Sequence, residues 1–467
     1  MKFTGDVVIG LEIHVELNTK TKLFCACPTQ GSDEPNSRVC QVCLGHPGSK
    51  PVVNKKAVEY AAKLALALGC KIADKVIFSR KSYFYPDMSK NFQITQYEIP
   101  LGENGVIEVS GERIDITRVH IEEDPASLVH PGGIGKSNYV LVDYNRSGNP
   151  LCEVVTAPQL RSPEQARDFM KSLITILEYL DIFSAGKNII KADANISIRE
   201  TGYTRVEIKN ITGFRDIERA LSYEQERQKN SPKEVLQQTR SWDSELGVTS
   251  LLRMKETEED YGYITEPDLV PITLSADWKA RLRKEIPELP TQKCKRYVTK
   301  FRLSEDDAQV ISNEKGLADI FEKSIEHVDP VLAARWIRKE LVRVLGYNNI
   351  ELSDMQMDTR EFIELLIFMQ KKLITEKVGQ RILEILAVKP IIVKDYIEKE
   401  GLGIVSESKE LEKYCVEALS ENAKAVADYR AGRLESLNFI LGAVMKKSRG
   451  KADAVKVRKM LVGLIGK

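Results

Sequence analysis

The chain has 467 residues, with 69 lysine and arginine residues against 68 aspartate and glutamate residues and a net charge of +1. One hydrophobic core does not usually grow to this length, so we expect two or three domains. No apolar run approaches the ~20 residues of a membrane span, and the first residues lead directly into a predicted strand without a signal peptide, so we expect a cytoplasmic protein.

Residues 9–17 alternate between apolar and polar side chains, which is the period of a half-buried strand. Its polar face carries Glu12, His14 and Glu16. Two acids and an imidazole are costly to bury without a partner, so we expect a cation or a charged substrate above this face. A solvated strand face is the alternative.

Four cysteines follow in two close pairs, Cys25 with Cys27 and Cys40 with Cys43. Two tight cysteine knuckles suit a tetrahedral zinc site, which would be structural because four thiolates leave no open position for chemistry. Disulfides are the alternative, but the remaining cysteines stand alone in the sequence, as expected of reduced thiols in a cytosolic protein. These are Cys70, Cys152, Cys294 and Cys415.

Helix signals and a basic aromatic stretch come next. Asn54 is a suitable N-cap for a helix that ends before Gly69. Residues 79–97 interleave aromatic side chains with Arg80 and Lys81, a composition that can stack a base while holding a phosphate or a carboxylate. Ordinary core aromatics are the alternative.

Residues 106–109 and 114–119 predict a hairpin whose second strand runs into an acidic end that contains Glu123. The glycine-rich residues 130–137 lack the glycine spacing of a phosphate-binding loop. We interpret them as a loop without that function.

A second pair of strands is predicted at residues 139–144 and 151–155, joined by a turn. The returning strand carries Glu153. After it, Ser162 opens a capping box with proline at the first helical position, which predicts a helix to about Leu180.

Residues 189–199 and 205–209 again alternate, with Asp193 on the polar face of the first and with Glu207 and Lys209 on that of the second. If these strands share a sheet, acidic side chains line one hollow. Acids with one histidine suit Mg2+, and the chemistry they favour is phosphoryl transfer from a nucleotide such as ATP. Lys81, Arg80 and Lys209 are candidate anchors for a phosphate or a carboxylate. The predicted magnesium and catalytic residues are Glu12, His14, Glu123, Asp193 and Glu207.

The C-terminal part is predicted to be helical from about residue 299, after a proline-rich linker at 286–290 and with a seam near 400–403. From Lys424 onward, eleven basic residues stand against three acidic ones. This surplus of positive charge indicates a polyanionic partner. A solvated helical face is the alternative.

Motifs along nearly the whole chain closely resemble the B subunits of the tRNA-dependent amidotransferases. The N-terminal motif is Gly10-Leu-Glu-Ile-His-Val-Glu-Leu17, and others include Lys81-Ser-Tyr-Phe-Tyr-Pro-Asp87 and His120-Ile-Glu-Glu-Asp124. Further matching motifs begin at Asp143, Ala192, Glu207, Glu266 and Gly432. One departure is Pro125-Ala-Ser127, where many bacterial members have Ala-Gly-Lys, so any role of that lysine is absent here.

The resemblance implies an enzyme component that binds misacylated Glu-tRNA(Gln), Asp-tRNA(Asn) or both, phosphorylates the side-chain carboxylate with ATP and Mg2+, and lets ammonia displace the phosphate. It implies two partners in a heterotrimer, the amidase-type A subunit, which acts as the glutaminase, together with the small C subunit. It also implies a zinc knuckle that only some members keep, and roles for Lys81 and Tyr83 in positioning the nucleotide or the aminoacyl end.

The implied fold is an α/β cradle-shaped domain with a mixed or antiparallel sheet, an all-α helical domain and a small all-α tail that grips tRNA. We place these domains at residues 1–294, 295–405 and 406–467.

Two alternatives remain open. The E subunits of the glutamate-only amidotransferases share the cradle, but they usually carry a large insertion for which the short junction near Pro290 leaves no room. A zinc-stabilised RNA-binding scaffold without chemistry is the alternative of another class.

Overall fold

The computed structural model describes residues 5–132, 138–254, 261–403, 408–448 and 450–466. The chain divides into two units, Met1–Leu289 and Pro290–Lys467. The first unit holds the strands, and the second is helical.

The first unit is built from sixteen described strands, many of them short. They are β1 Val7–Glu16, β2 Lys71–Ile72, β3 Lys75–Val76, β4 Ser79–Ser82, β5 Phe92–Thr95, β6 Gly102–Val109, β7 Glu112–Glu123, β8 Ser127–Val129, β9 Leu141–Asp143, β10 Pro150–Thr156, β11 Ile190–Ile198, β12 Val206–Thr212, β13 Gln238–Asp243, β14 Val248–Met254, β15 Ile264–Thr265 and β16 Ile272–Thr273. Its four described helices are α1 Lys55–Ala67, α2 Pro163–Tyr179, α3 Gly213–Asn230 and α4 Ala276–Glu285.

A nine-stranded sheet in the order β14-β13-β12-β11-β1-β10-β7-β6-β2 organises this unit. Neighbouring strands in it pair antiparallel, except that β12 and β13 run parallel. Parallel neighbours need a crossover, and α3 provides it. Strand β1 is the central strand of this sheet, with β10 and β11 as its neighbours.

One face of the sheet forms the hydrophobic core with α1, α2 and α3. In β1 the core side is formed by Ile9, Leu11, Ile13 and Val15, each at most 1% exposed. The opposite face of β1 carries its polar residues. Small sheets lie beside the large one, in the orders β15-β4-β5, β16-β3 and β8-β9.

Both predicted helix starts in this unit carry side-chain caps. The side chain of Asn54 accepts hydrogen bonds from the backbone N–H groups of Lys56 and Ala57. The hydroxyl of Ser162 accepts one from the N–H of Gln165. Such caps satisfy amides that the first helical turn leaves unpaired.

The second unit is formed by helices alone in its described part. They are α5 Pro290–Phe301, α6 Glu305–Ser312, α7 Lys315–Ser324, α8 Pro330–Arg335, α9 Val342–Asn348, α10 Thr359–Gln370, α11 Glu376–Val388, α12 Val393–Lys399, α13 Ser408–Glu421, α14 Ala423–Arg430, α15 Ser436–Lys447 and α16 Ala454–Ile465. A π-helical segment, Trp336–Leu341, joins α8 to α9. The buried apolar residues fall into two clusters, one between Tyr297 and Leu402 and one between Leu411 and Ile465.

The predicted fold class is confirmed: a large mixed sheet with α/β organisation precedes helical domains. One strand pairing differs from the prediction. Strand β9 pairs with β8 rather than with the returning strand β10, which joins the large sheet instead. Most of the predicted loop at 130–137 lies outside the described residues. Residues 404–407, which follow the predicted seam at 400–403, also lie outside them. Within the described ranges, no helix is long and apolar enough to cross a bilayer.

Candidate active site and metal centre

The strand register gathers the polar side chains on one face of the large sheet. Residues that pair across neighbouring antiparallel strands point to the same face. His14 of β1 pairs with Glu153 of β10, which in turn pairs with His120 of β7. On the other side of β1, Glu12 pairs with Asp193 of β11.

The first group on this face contains two histidines and two carboxylates. Nε2 of His14 lies 3.3 Å from a carboxylate oxygen of Glu153 and 3.6 Å from one of Glu122. Nε2 of His120 lies 3.4 Å from the same oxygen of Glu153. Ligand atoms of His14, Glu122 and Glu153 all lie within 4.8 Å of one another, so one metal ion could contact all three.

These groups shift one another's protonation in opposite directions. Burial opposes the charged form of His14, but the hydrogen bond to Glu153 and the charges of Glu153 and Glu122 raise its pKa to about 10. Burial lowers the pKa of His120 to about 4, so this second imidazole is neutral at pH 7. Burial and the charge of Glu153 raise the pKa of Glu122 to about 7. Without a metal, the imidazole of His14 therefore carries a proton at pH 7, at the position where a metal cation could bind.

The second group lies across β11 and β12. Nζ of Lys209 lies 2.5 Å from Asp193 and 3.2 Å from Glu207. Burial works against the charge of Lys209, but the two carboxylates outweigh it and raise the pKa of its ammonium. The hydroxyl of Thr239 donates to the other oxygen of Glu207 at 3.0 Å. Both carboxylates are thus engaged in holding a lysine.

Glu12 stands between the two groups. The side-chain amide of Asn195 donates to it at 3.4 Å. Burial, followed by the charge of Glu153, raises the pKa of the Glu12 carboxyl above its usual range. A carboxylate of raised pKa can accept a proton more readily than an ordinary one.

A cavity of about 670 Å³ opens over this face, large enough for a nucleotide or an aminoacyl end. Its wall combines acidic and basic side chains with tyrosines. The acidic, basic and histidine side chains of the lining are Glu12, Lys81, Arg118, His120, Glu122, Glu153, Arg205, Glu207 and Lys209. Tyr97 and Tyr263 stack with their rings 3.9 Å apart, and Nζ of Lys81 lies 4.5 Å above the ring of Tyr261.

The structure brings Glu12, Lys81, Glu207 and Lys209 to the cavity wall and His14 and Asp193 to the same face of the sheet, but it places the other three predicted residues elsewhere. Glu123 lies on the opposite face of β7, where its carboxylate pairs with Lys90 at 2.5 Å and accepts the N–H of Ile94 at 2.8 Å. Arg80 forms two hydrogen bonds, at 2.6 and 2.9 Å, with the buried carboxylate of Glu266. Tyr83 stacks on a neighbouring tyrosine, with ring centroids 5.9 Å apart, and is not among the residues that line the cavity.

Two carboxylates that the predicted ligand set omits, Glu122 and Glu153, lie in the first group. The sequence contains a signal for both. Val119 and Ile121 alternate with His120 and Glu122, which places Glu122 on the polar face. By the same alternation, Glu153 projects away from the core.

The four paired cysteines form a separate cluster. Sγ atoms of Cys25, Cys27, Cys40 and Cys43 all lie within 4.8 Å of one another, and all four thiols are free. The backbone N–H of Cys40 donates to Sγ of Cys43 at 3.1 Å. Four converging sulfur ligands fit a tetrahedral metal such as zinc.

Known proteins of one family match this chain over nearly its whole length. A family model described as "GatB/GatE catalytic domain" matches residues 7–280, and one described as "GatB domain" matches residues 319–465. A protein of Moorella thermoacetica, named as the B subunit of an aspartyl/glutamyl-tRNA(Asn/Gln) amidotransferase, is 42% identical over 470 residues, which cover 98% of each chain. Proteins with the same name from Carboxydothermus hydrogenoformans and Methanospirillum hungatei are 40% and 41% identical, over 98% and 99% of each chain.

Proposed function

The chain belongs to the GatB/GatE family, as a relative of the B subunits of the tRNA-dependent amidotransferases, and from this premise we propose the reaction that it performs. It binds misacylated Glu-tRNA(Gln), Asp-tRNA(Asn) or both, phosphorylates the side-chain carboxylate with ATP, and exchanges the phosphate for ammonia. The observation that supports this best is the cavity over the large sheet, which combines a possible metal site with a lysine held between two acids.

The chemistry requires two displacements. In the first, a carboxylate oxygen of the substrate attacks the γ-phosphorus of ATP, and ADP leaves with the electron pair of the broken P–O bond. No base is needed, since this carboxylate is already ionised at neutral pH. In the second, ammonia attacks the acyl carbon, the bond to the phosphate oxygen breaks, and one proton is lost as the amide forms.

His14, Glu122 and Glu153 would hold the magnesium ion. Their donor set of one imidazole and two carboxylates, with ligand atoms within 4.8 Å of one another, fits a divalent cation that retains other positions for phosphate oxygens or water. Such an ion, when bound, neutralises the charge of the transferred phosphoryl group. The neutral imidazole of His120 lies against Glu153 and keeps that carboxylate in position.

Basic side chains on the cavity wall would bind the anionic groups of the substrates. Asp193 and Glu207 hold the ammonium of Lys209 at the wall, so we assign to them the positioning of an anion anchor. Lys81 also lines the cavity and serves the same purpose. Glu12, with its raised pKa, accepts the proton that ammonia loses.

This sequence contains no glutaminase signature, so a separate amidase-type A subunit would release ammonia from glutamine, and a small C subunit would complete the heterotrimer. Delivery away from water protects the acyl phosphate from hydrolysis.

The basic C-terminal residues would bind the tRNA backbone, where phosphate contacts supply most of the non-specific affinity. The four cysteines would hold a structural zinc ion.

The experiment is a transamidation assay on the chain purified with its amidase partner. Glu-tRNA(Gln), ATP, Mg2+ and glutamine are supplied, and ADP and Gln-tRNA(Gln) are measured. Glu153→Gln is expected to abolish both products, whereas Glu108→Gln, an exposed change on β6, is expected to leave them unchanged.

Two results would contradict the proposal. An absence of ATP hydrolysis that depends on the acylated tRNA would favour an RNA-binding scaffold without chemistry. A Glu153→Gln variant with full activity would remove the proposed metal site.

A further inference from the structure

Lys22 is a fully buried lysine beside the four-cysteine cluster. Its relative exposure is 0%, and its Nζ lies 3.6 Å from Sγ of Cys43 and 3.3 Å from the carbonyl oxygen of Tyr144. A buried ammonium is costly unless an anion compensates it. In the described part of the chain no carboxylate forms an ion pair with Lys22, so a thiolate is the anion within its reach.

The charge of a four-cysteine metal site calls for such a cation. Four thiolates around one divalent ion leave a net charge of −2, and a buried net charge is stabilised by a nearby opposite charge. Hydrogen bonds from outer groups also orient the ligands of a metal. Lys22 meets both requirements at Cys43, where the N–H of Cys40 provides the second donor.

Lys22 also connects the two cysteine pairs. Its backbone N–H donates to the carbonyl of Cys27 at 2.9 Å, while its side chain reaches Cys43 of the second pair. One residue therefore contacts both halves of the cluster, through its main chain and its ammonium.

The carbonyl that Lys22 contacts belongs to the loop at 143–149, which leads into β10. This loop is bound to the segment between the cysteine pairs. The N–H of Asn36 donates to Asp143 at 2.9 Å, and the N–H of Arg38 donates to Asn145 at 2.7 Å. At its other end, the side chain of Asn149 donates to Glu16 of β1 at 2.6 Å. The loop thus joins the cysteine segment to the strand that carries Glu153.

We propose that Lys22 is the charge-compensating outer residue of the four-cysteine metal centre and the link by which that centre holds the loop at 143–149. The proposal rests on the metal centre proposed above, with zinc as the metal. It assigns Lys22 a positioning role and no contact with substrate.

The test compares Lys22→Met with Lys20→Met in the full-length chain. Both variants remove an ammonium from the same segment, but Lys20 is exposed. Zinc content of the purified proteins and the rate of zinc transfer to a chelator are measured. Lys22→Met is expected to weaken zinc binding roughly 10- to 100-fold, the usual effect of losing an outer-sphere partner, and Lys20→Met to leave it unchanged.

A thermal-unfolding cycle distinguishes this role from ordinary packing. Chelation should lower the melting temperature of the unsubstituted protein more than that of Lys22→Met, since the variant has already lost part of the metal's stabilisation. If Lys22→Met lowered the melting temperature by the same amount with and without bound metal, the proposal would be overturned. Lys22 would then contribute only to packing of the core.

Lys22→Gln, which keeps a donor but loses the charge, provides the same comparison if the methionine variant does not fold. Zinc that is retained as firmly in Lys22→Gln as in the unsubstituted protein would also overturn the proposal. An unsubstituted protein that binds no zinc would overturn the metal centre itself, while leaving the transamidation proposal to its own assay.

Discussion

At the scale of single residues, two adjacent glutamates at the end of β7 have different surroundings. Glu122 faces His14 and the cavity, whereas Glu123 faces the opposite side and pairs with Lys90. The pleat of a strand separates neighbours in this way. Their substitutions should therefore have different consequences.

Glu122→Gln is expected to weaken Mg2+ binding by more than the roughly 10- to 100-fold effect of an outer-sphere change, because it removes a proposed ligand charge. Glu123→Gln should leave Mg2+ binding intact and lower the free energy of unfolding by about 3 kcal/mol, because it leaves the ammonium of Lys90 without its partner. Calorimetric Mg2+ titration and urea denaturation of both variants measure the two effects. If Glu123→Gln weakened Mg2+ binding and Glu122→Gln did not, Glu123 would be the ligand instead of Glu122.

The sequence alone predicts the acidic hollow but not all of its members. The alternation in β1 identifies Glu12 and His14 because one strand suffices to define a face. The prediction of Glu123 relies on the acidic cluster rather than on the alternation from Val119, and β7 also contains an irregularity opposite Val155 and Thr156 that shifts its register. Which carboxylates meet an imidazole depends on strand pairing across long sequence separations, and local patterns carry little information about that.

The binding of Mg2+ is expected to depend on pH through His14. Its pKa is raised to about 10, so in the absence of metal the imidazole is protonated at pH 7. A metal ion must displace this proton, so affinity should rise as pH increases toward about 10 and fall as pH decreases. Calorimetry at pH 8 in Tris and HEPES, which differ in ionisation enthalpy, should show close to one proton released per ion. An affinity that is constant between pH 7 and 9 would exclude His14 as a ligand.

At the scale of secondary-structure elements, the contact of α1 with β6 depends on a glycine. A Cβ on Gly105 would stand 2.7 Å from the carbonyl oxygen of Leu68 and closer still to Sγ of Cys70. The carbonyl of Leu68 is fixed, since it accepts the N–H of Val106 at 2.7 Å. The end of α1 and the edge of the sheet therefore meet without space for a side chain.

Gly105→Ala is expected to lower the free energy of unfolding by about 1–3 kcal/mol, the usual cost of overpacking. Gly10→Ala is the matched control in β1, because its Cβ would meet Pro158 at an ordinary contact distance of 3.6 Å. Chemical denaturation followed by circular dichroism measures both variants. Equal stability of the two would show that α1 can move away from β6.

Elements that have a local sequence signal lie where the sequence predicts them, whereas the pairing of one predicted strand with a distant partner differs from the prediction. The helices after Asn54 and Ser162 begin at the predicted caps, because a cap is a contact between residues two or three apart. The sequence predicts the strand at β9 but not its pairing with β8. Nothing in the local sequence distinguishes a hairpin within one sheet from a strand that joins another.

At the scale of the whole molecule, the proposed tRNA contact of the tail can be tested by charge removal. Lys456, Arg458 and Lys459 are exposed on α16. Replacing all three by glutamine should weaken tRNA binding and reduce the slope of log affinity against log salt by about 2–3, at roughly 0.7–0.9 per phosphate contact.

The matched control is the glutamine triple variant of Lys389, Lys394 and Lys399, which are exposed near α12. It removes the same charge from the other helical cluster of the second unit and should leave the salt slope unchanged. Filter binding at several salt concentrations measures both. If the control variant bound tRNA as weakly as the tail variant, the affinity would depend on net charge alone and not on the position of these lysines.

The central position of β1 has a consequence for biosynthesis. The ribosome makes β1 well before the two strands that pair with its edges, Pro150–Thr156 and Ile190–Ile198. At ~5–20 residues per second of translation, the apolar strand waits on the order of ten seconds with both edges unpaired. Unpaired edges attract other chains. Nascent chains are thus most vulnerable to aggregation in the interval between the synthesis of β1 and that of β10 and β11, and a chaperone that shields β1 during this interval should raise the yield of folded protein.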